Sequence, residues 1–209
     1  MGSTPALLPE LEEPQIHETG ILNDRAIRRY VDSRVVAATV PFLDGQVQPA
    51  SLDLRLGAIA YEVRASFLPT AESTVLGCVE ALRVRELDLA RPAVLEKGRV
   101  YIIPLLEELR LPPRVSAKAN PKSTTGRVDV FTRLITDRGD EFERVPAGYV
   151  GKLYAEVAPR TFSVVVHQGT RLNQLRFVLG KPMYYDKRVN DLHESETLLY
   201  SGGGDPARP

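Results

Sequence analysis

The sequence is poor in residues that form disulfides or bind zinc. It contains one cysteine, Cys78, and three histidines, His17, His167 and His193. One cysteine cannot form an internal disulfide, and no two of these four residues lie at the spacing of zinc ligands. A zinc site is therefore excluded. Cys78 lies in the apolar stretch 74–79, and we predict a buried structural thiol there.

Long apolar runs and an excess of one charge are also missing. No stretch approaches the ~18 apolar residues of a membrane-spanning helix, and residues 1–13 lack the basic and apolar regions of a secretory signal. The 27 basic and 27 acidic residues give a formal net charge of zero, which argues against nucleic acid or a membrane surface as a partner. These absences predict a cytoplasmic protein.

Several catalytic motifs are absent as well. The sequence has no Gly-x-Ser-x-Gly elbow, no Gly-x4-Gly-Lys-Ser/Thr phosphate loop and no dinucleotide-binding fingerprint. His167 falls in an alternating strand pattern, which is more typical of a packed or surface histidine than of a catalytic one. Carboxylates, hydroxyl groups and arginines must therefore carry any catalysis.

Short strands dominate what is present. Many segments at 8–12-residue spacing, several with alternating polarity, are separated by Gly, Pro, Asp and Asn clusters, and this pattern predicts an all-β barrel or sandwich. A short N-terminal helix is predicted from Asn23 or Asp24 to about Asp32, with Ile27 and Tyr30 near one face. The predicted strands are residues 35–40, 51–56, 59–67, 99–104, 114–119, 128–135, 151–157, 162–167 and 172–179.

The chain is expected to contain one domain with short appendages. Residues 1–18 have the composition of a flexible arm. Residues 19–190 form the predicted β domain. Residues 191–209 are predicted to form a short helix, over 191–199, and a Gly- and Pro-rich tail of linker composition.

Two segments place polar residues where a site could form. In 48–57, Asp53 and Arg55 alternate with leucines and project from one strand face, and a solvated face explains this pattern equally well. In 116–127, lysines, hydroxyl groups and a glycine form a predicted turn. Such a turn can direct N–H groups, hydroxyls and cations at one anion, so we favour phosphate binding over a plain surface turn.

A third segment, 148–157, contains one carboxylate among apolar and aromatic residues. Burial raises the pKa of a carboxyl, as a general base for water requires, so Glu156 is a candidate base. A charge on the outer face of the strand is the alternative, and the residues alone favour it slightly.

The order of these segments resembles the motif series of the dUTPase and dCTP deaminase superfamily. The resemblance covers roughly residues 20–178 and is closest to the dCTP deaminases. It rests on Gly20-Ile-Leu-Asn-Asp-Arg-Ala-Ile, Gln48-Pro-Ala-Ser-Leu-Asp-Leu-Arg-Leu-Gly57, residues 95–104, Lys122-Ser-Thr-Thr-Gly-Arg127, Gly148-Tyr-Val-Gly-Lys-Leu-Tyr-Ala-Glu156 and Gly169-Thr-Arg-Leu-Asn-Gln174-Leu. It implies a distorted β-barrel or jelly roll of the dUTPase type.

The resemblance implies a hydrolytic deamination of dCTP to dUTP and ammonia without zinc. Glu156 matches the glutamate that takes a proton from water, which then attacks C4 of the cytosine ring. Ser123 and Arg127 match the serine and arginine that orient this water and the pyrimidine.

Further positions match substrate-binding residues. Lys122 opens the substrate loop and supplies a positive charge, and Gln174 matches a glutamine near the phosphates. Loop positions that present donors to phosphates match Thr124, Thr125 and Gly126, and strand positions whose backbone recognises the base edge match Tyr154 and Ala155. Mg²⁺ is expected to enter with the triphosphate, held mostly by phosphate oxygens and waters.

Three further expectations follow from the resemblance. The partners are dCTP or dUTP and other subunits, because such sites form between subunits of a trimer or pseudo-trimer. An aspartate that grips the deoxyribose hydroxyl is replaced here by Pro146. The chain resembles the N-terminal half of longer two-domain bacterial forms. A dUTP pyrophosphatase or a bifunctional enzyme of the same superfamily remains an alternative, and Pro146 with the linker-like tail leaves open a non-catalytic nucleotide-binding half.

Overall fold

The computed structural model describes residues 19–181 and 186–207. The sequence order of their elements is β1 (Gly20–Ile21), α1 (Asp24–Asp32), β2 (Val36–Ala38), β3 (Val47–Gln48), β4 (Ser51–Arg55), β5 (Ile59–Val63), α2 (Val75–Leu82), β6 (Arg83–Asp88), β7 (Ala93–Leu95), β8 (Val100–Arg110), β9 (Val115–Pro121), α3 (Ser123–Arg127), β10 (Val130–Thr136), β11 (Arg144–Val145), β12 (Val150–Pro159), β13 (Val164–Val166), β14 (Arg171–Leu179) and α4 (Asp186–Glu196).

Two antiparallel sheets form the body of the described chain. The first sheet has the order β11-β9-β14-β4-β3, with β1 beside β14, and the second has the order β10-β12-β8-β5-β6, with β2 beside β8. The main core lies between them and receives Leu54 and Phe177 from the first sheet and Ile103 and Ala155 from the second. The all-β prediction is confirmed, with two packed sheets that do not close into a barrel.

Helix α1 forms where the sequence predicts it. The Asn23 side chain accepts a hydrogen bond from the Ala26 N–H at 3.1 Å and so caps the first turn. Ile27 is fully buried in the main core, and Tyr30 packs edge-on against Phe177 of β14 at 5.8 Å between ring centroids. The helix therefore covers one end of the first sheet.

The two sheets approach each other closely after β4. The Gly57 N–H donates to the Pro104 carbonyl of β8 at 2.8 Å. A Cβ atom on residue 57 would lie 2.5 Å from that carbonyl oxygen, so only glycine fits at this position. Pro104 marks a bulge, because β12 pairs with Glu108 and then directly with Pro104 while the register shifts. The bulged segment contains Glu107.

A second, smaller core lies on the outer face of the second sheet. Val75 and Val79 of α2 pack there against Ile102, Ile135 and Tyr154. Thr74 caps helix α2, since its hydroxyl accepts from the Gly77 N–H, and the Asp137 carboxylate accepts from the Val75 N–H at 2.7 Å. Residues 64–82 thus cover an outer face that would otherwise be exposed.

Several elements differ from the sequence-based prediction. Helix α2 and strand β6 were not predicted, and the turn at 123–127 is the short helix α3. Cys78 is half-buried on α2 rather than buried, because Val75 and Val79 form the inward face of that helix. The C-terminal helix begins earlier than predicted, and His193 on it accepts hydrogen bonds from the Leu198 and Leu199 N–H groups.

None of the helices in the described ranges is long and apolar enough to cross a lipid bilayer.

Candidate active site

A surface cavity of about 440 Å³ lies on the outer side of the first sheet. This volume is within the range of small-molecule sites. Its lining combines two segments that the sequence singled out, since the residues come from β3–β4, the start of α3 and β14: Gln48, Pro49, Ala50, Ser51, Lys122, Ser123, Thr124, Gln174 and Arg176. The Ser51 hydroxyl donates to Oε1 of Gln174 at 3.2 Å and joins β4 to β14 across the cavity.

A buried carboxylate controls the charge of this cavity. Asp53 on β4 is 1% exposed, and its Oδ2 lies 2.5 Å from Nζ of Lys122 and 3.3 Å from Nη1 of Arg171. Its Oδ1 has no hydrogen-bond partner within the described chain. The Lys122 charge is therefore partly compensated by the protein itself.

A second buried ion pair joins Arg55, on the same strand as Asp53, to Glu107 of β8. Nε of Arg55 donates to Oε1 of Glu107 at 2.7 Å, and the Arg55 backbone N–H donates to Oε2 at 2.8 Å. Gln46 donates both to Glu107 and to the Asp53 carbonyl. Asp53 and Arg55 project from one face, as predicted, but they are buried, so the alternative of a solvated face is wrong.

Only the first part of the predicted substrate loop lines the cavity. Ser123 and Thr124 are exposed and line the cavity, while Thr125 is buried. Gly126 and Arg127 are exposed but do not line the cavity. Of the predicted phosphate-binding residues, the structure thus gathers Lys122, Thr124 and Gln174 in one place, together with the predicted catalytic residue Ser123.

Glu156 lies elsewhere, on the outer face of the second sheet. Leu153, Ala155 and Val157 of β12 point into the main core, so Tyr154 and Glu156 point outward. Glu156 is nevertheless only 1% exposed, because residues 64–82 cover this face. The side chain of Glu156 therefore projects from the outer face of the strand, as the alternative predicted, but its carboxylate is buried rather than exposed.

One arginine binds the Glu156 carboxylate. Arg133 lies directly opposite Glu156 in the β10–β12 register, and its Nε and Nη2 donate to Oε1 at 3.1 and 2.6 Å. Oε2 is buried without a hydrogen-bond partner in the described chain. The free lone pairs of this buried carboxylate are therefore on Oε2, the oxygen at which a proton could be accepted.

The main chain at Tyr154 and Ala155 lies within the sheet. These residues pair with Ile135 and Leu134 of β10 on one side and with Pro104 and Ile103 of β8 on the other. Both edges of β12 therefore face neighbouring strands at these positions.

Burial, with the Asp137 carboxylate nearby, raises the pKa of the Tyr154 hydroxyl well above its ordinary value of 10.0.

Two groups of predicted site residues are separated within one chain. Gln174 and Arg176 project from the first sheet on the side opposite Leu175 and Phe177, which point into the core. Glu156 projects from the second sheet, again away from that core. Neither Ser123 nor Arg127 donates to Glu156 in the hydrogen bonds of the described chain, where Arg133 takes this role.

Pro146 and its neighbour Glu143 lie at the edge between the sheets. The Pro146 carbonyl accepts from the Tyr149 N–H, so this position forms a turn. Glu143 has a positive φ of 64°; its N–H donates to Leu134 of β10 and its carbonyl accepts from Ala119 of β9. Glu143 thus joins the edges of the two sheets, and burial raises the pKa of its carboxyl to about 7.

Sequence reasoning missed two arginines. Arg176 lines the cavity, and its position beside Gln174 in an alternating strand was an available signal. Arg133 binds Glu156 across 23 positions of sequence. Only the register of β10 with β12 shows this contact, and the sequence carries no direct signal for it.

Comparison with known proteins identifies the family to which the chain belongs. Residues 18–181 match the family model described as the 2'-deoxycytidine 5'-triphosphate deaminase N-terminal domain. A curated relative from Dictyoglomus thermophilum, named "dCTP deaminase, dUMP-forming", is 26% identical over 84% of this chain and 91% of its own length. A dCTP deaminase from Natronomonas pharaonis is 31% identical over 75% of this chain and 79% of its own.

A solved structure is also similar over most of the described fold. The crystal structure of 2'-deoxycytidine 5'-triphosphate deaminase from Agrobacterium tumefaciens has a TM-score of 0.81 and 51% sequence identity, covering 88% of this chain. This chain spans 55% of the length of that protein. From the matched family model and these relatives, the chain belongs to the 2'-deoxycytidine 5'-triphosphate deaminase family, within its N-terminal domain.

Proposed function

We propose that this chain catalyses the hydrolytic deamination of dCTP to dUTP and ammonia, with Glu156 as the general base. The observation that carries the proposal is the buried Glu156 carboxylate, whose Oε2 has no partner in the described chain. The names of the relatives supply the substrate class.

The reaction needs only water and a carboxyl group that exchanges protons. Glu156 takes a proton from water, and the hydroxide bonds to C4 of the cytosine ring while the C4–N3 double bond opens and the carboxyl passes the proton to N3. The same carboxylate then moves the proton of the C4 hydroxyl to the amino group; the C4–N4 bond breaks, C4=O forms and ammonia departs. Ser123 and Arg127 are proposed to hold the water and the pyrimidine in the attacking geometry.

The triphosphate is assigned to the cavity on the first sheet. Lys122 and Arg176 supply positive charge there, and Thr124 and Gln174 supply hydroxyl and amide donors. The described residues place no group of three or more His, Cys, Asp or Glu side chains that could hold a metal ion. We therefore assign Mg²⁺ to the nucleotide, held by phosphate oxygens and waters as part of the substrate, and we propose a mechanism without zinc.

We propose that a second subunit or domain completes the site. Glu156 and the phosphate cavity lie on the outer faces of different sheets, so one chain cannot bring both to one nucleotide without movement. A trimer or pseudo-trimer would place Glu156 of one unit against the loop 122–127 of another. Mixing the inactive variants Glu156→Gln and Ser123→Ala tests this arrangement: restored turnover supports a shared site, and no recovery contradicts it.

Product analysis tests the activity itself. The purified chain is incubated with dCTP and Mg²⁺, and the nucleotides are separated by anion-exchange chromatography. Wild type should form dUTP, and Glu156→Gln should reduce the rate by about 10²–10⁴-fold. Glu108→Gln is the matched control, since Glu108 of the neighbouring strand β8 has a half-exposed side chain. Equal rates for wild type and Glu156→Gln would contradict the proposal.

A dUMP-forming activity is the second candidate. It is favoured by the name of the Dictyoglomus relative, which aligns over 91% of its own length. In the same assay, release of pyrophosphate and accumulation of dUMP, from dCTP and from added dUTP, would show this second step. Binding of dCTP by calorimetry without any product would instead indicate a non-catalytic nucleotide-binding half.

A further inference from the structure

The guanidinium group of Arg133 is held in place from several directions. Its Nη2 donates to the Ser66 hydroxyl at 2.8 Å as well as to Glu156. Its central carbon lies 3.5 Å from the centre of the Phe142 ring and 4.8 Å from that of Phe131. The side chain is 25% exposed. Cation–π contacts and hydrogen bonds together fix a group that would otherwise be mobile.

This fixed cation makes the two oxygens of Glu156 chemically different. Two N–H groups of Arg133 converge on Oε1, at 3.1 and 2.6 Å, instead of binding one oxygen each. Oε2 remains buried with no partner in the described chain. The lone pairs that can accept a proton are therefore concentrated on Oε2.

We propose that Arg133 is a positioning residue, which ties Oε1 of Glu156 and presents Oε2 as the oxygen that takes the proton from the attacking water. The inference rests on the proposed deamination, with Glu156 as base. In the step, an O–H bond of water breaks and the proton bonds to Oε2. The hydroxide oxygen bonds to C4 while the C4–N3 double bond opens, and its electron pair goes to N3, which is protonated. Arg133 exchanges no proton and keeps its charge.

Arg133 is also the charge that offsets the burial of this carboxylate. The titratable groups around the smaller core on this face include Tyr154 and Tyr61, with Asp137 close to Tyr154 and Glu143 close to Arg133. Tyrosine and carboxyl side chains cannot carry a positive charge, so none of these groups can compensate Glu156. Loss of the guanidinium therefore disfavours the ionised form of Glu156.

The pH dependence of kcat/KM for dCTP tests this role. Glu156 must be ionised to act, so the acid limb of the profile reports its ionisation. Arg133→Gln should lower the rate at pH 7 at least tenfold and move the acid limb up by one pH unit or more. Arg133→Lys keeps the charge, so its acid limb should lie close to that of wild type. Arg110→Gln, an exposed arginine of β8, is the control. A uniform loss of rate with an unmoved limb would overturn the proposal.

A titration that needs no turnover separates this inference from the proposed function. Glutamate labelled with ¹³C at the side-chain carboxyl is followed by NMR, and the Glu156 signal is assigned by its loss in Glu156→Gln. Its midpoint should rise in Arg133→Gln, and an unchanged midpoint overturns the positioning role even in an inactive chain. Absence of product from the wild type, by contrast, would overturn only the deaminase activity.

Two further variants address the case in which Arg133→Gln does not fold. Ser66→Ala and Phe142→Leu loosen the guanidinium without removing its charge. Each should move the Glu156 midpoint upward by less than Arg133→Gln would. If both leave it unchanged while lowering thermal stability, the contacts serve packing alone and the proposal fails.

Discussion

The Nζ atom of Lys122 lies 2.5 Å from Oδ2 of Asp53, a carboxylate that is 1% exposed. Arg171 lies 3.3 Å from the same oxygen, so two cations share one buried charge. This arrangement holds Lys122 at the wall of the cavity before any nucleotide arrives. It also means that a phosphate in the cavity must compete with Asp53 for Lys122.

We expect Asp53→Asn to lower the stability of the fold and to increase the stabilisation that a bound anion provides. The substitution leaves Lys122 and Arg171 without their counter-charge, which should cost about 1–2 kcal/mol because both cations are partly exposed to solvent. Inorganic tripolyphosphate can then replace the missing charge, so it should raise the Tm of the variant more than that of wild type. Thermal denaturation with and without tripolyphosphate measures this, and equal shifts in the two proteins would contradict it.

Breaking the buried pair of Arg55 and Glu107 should lower the free energy of unfolding far more than breaking an exposed ion pair. Both side chains are at most 2% exposed, so Glu107→Gln leaves a buried guanidinium uncompensated and should cost about 3–5 kcal/mol. The matched control is Glu141→Gln, which breaks the exposed pair with Arg144 and should cost less than about 1 kcal/mol. Urea unfolding measures both values.

A double substitution gives the sharper test of this pair. Arg55→Met with Glu107→Leu removes both charges, so no buried charge is left without a partner. It should be more stable than Glu107→Gln alone. If the double variant is instead less stable than both wild type and Glu107→Gln, the pair contributes through its further hydrogen bonds to Gln46 and Pro41.

The local features of this fold could be predicted from sequence because they depend on near neighbours. Helix α1 needs only the Asn23 cap and Ile27 to define its start and its buried face. The β-rich character follows from alternation and turn residues. Lys122 and Gln174 were placed together by the resemblance alone, and the cavity contains both of them.

The missed features depend on residues far apart in sequence. Helix α2 is apolar on several sides, and its first turn is fixed by Asp137, 62 positions away. The burial of Glu156 results from residues 64–82, which cover an outer strand face. Arg133 contacts it because of strand register. No local pattern contains this information, since a shift of one residue in register reverses the face of every side chain.

Arg176 should be the principal cation for the triphosphate. It lines the cavity and donates to the Asn120 side chain at 2.9 Å, and none of the ion pairs in the described chain includes it, whereas Lys122 is bound to Asp53. A charge-assisted hydrogen bond contributes about 1.5–3 kcal/mol. Arg176→Gln should therefore raise the KM for dCTP about 10–100-fold and change kcat little.

Steady-state kinetics at two salt concentrations check this assignment. Wild type should lose more affinity for dCTP at high salt than Arg176→Gln, because the variant has one charge fewer to screen. Arg28→Gln, an exposed arginine of α1, is the control and should behave as wild type. A fall in kcat with an unchanged KM would show that Arg176 acts on the chemical step instead.

Glu143 should make stability depend on pH in the weakly acidic range. Burial raises the pKa of its carboxyl from 4.5 to about 7, against smaller opposite effects of the Leu134 N–H and the Arg133 charge. Between these two values the folded protein binds more protons than the unfolded chain. Its stability contribution is therefore complete below pH 4.5 and is lost as the pH rises through about 7.

Glu143→Gln removes this titration while keeping an oxygen that can accept from the Leu134 N–H. The variant should match wild type near pH 4.5 and exceed it at pH 8 by on the order of 1–2 kcal/mol, a value reduced for the partial exposure of the side chain. Urea unfolding at both pH values measures the difference, with the exposed Glu141→Gln as control. If the free energies of unfolding of wild type and Glu143→Gln change in parallel with pH, another group causes the dependence. The residue would then serve only to join β9 to β10 through its main chain.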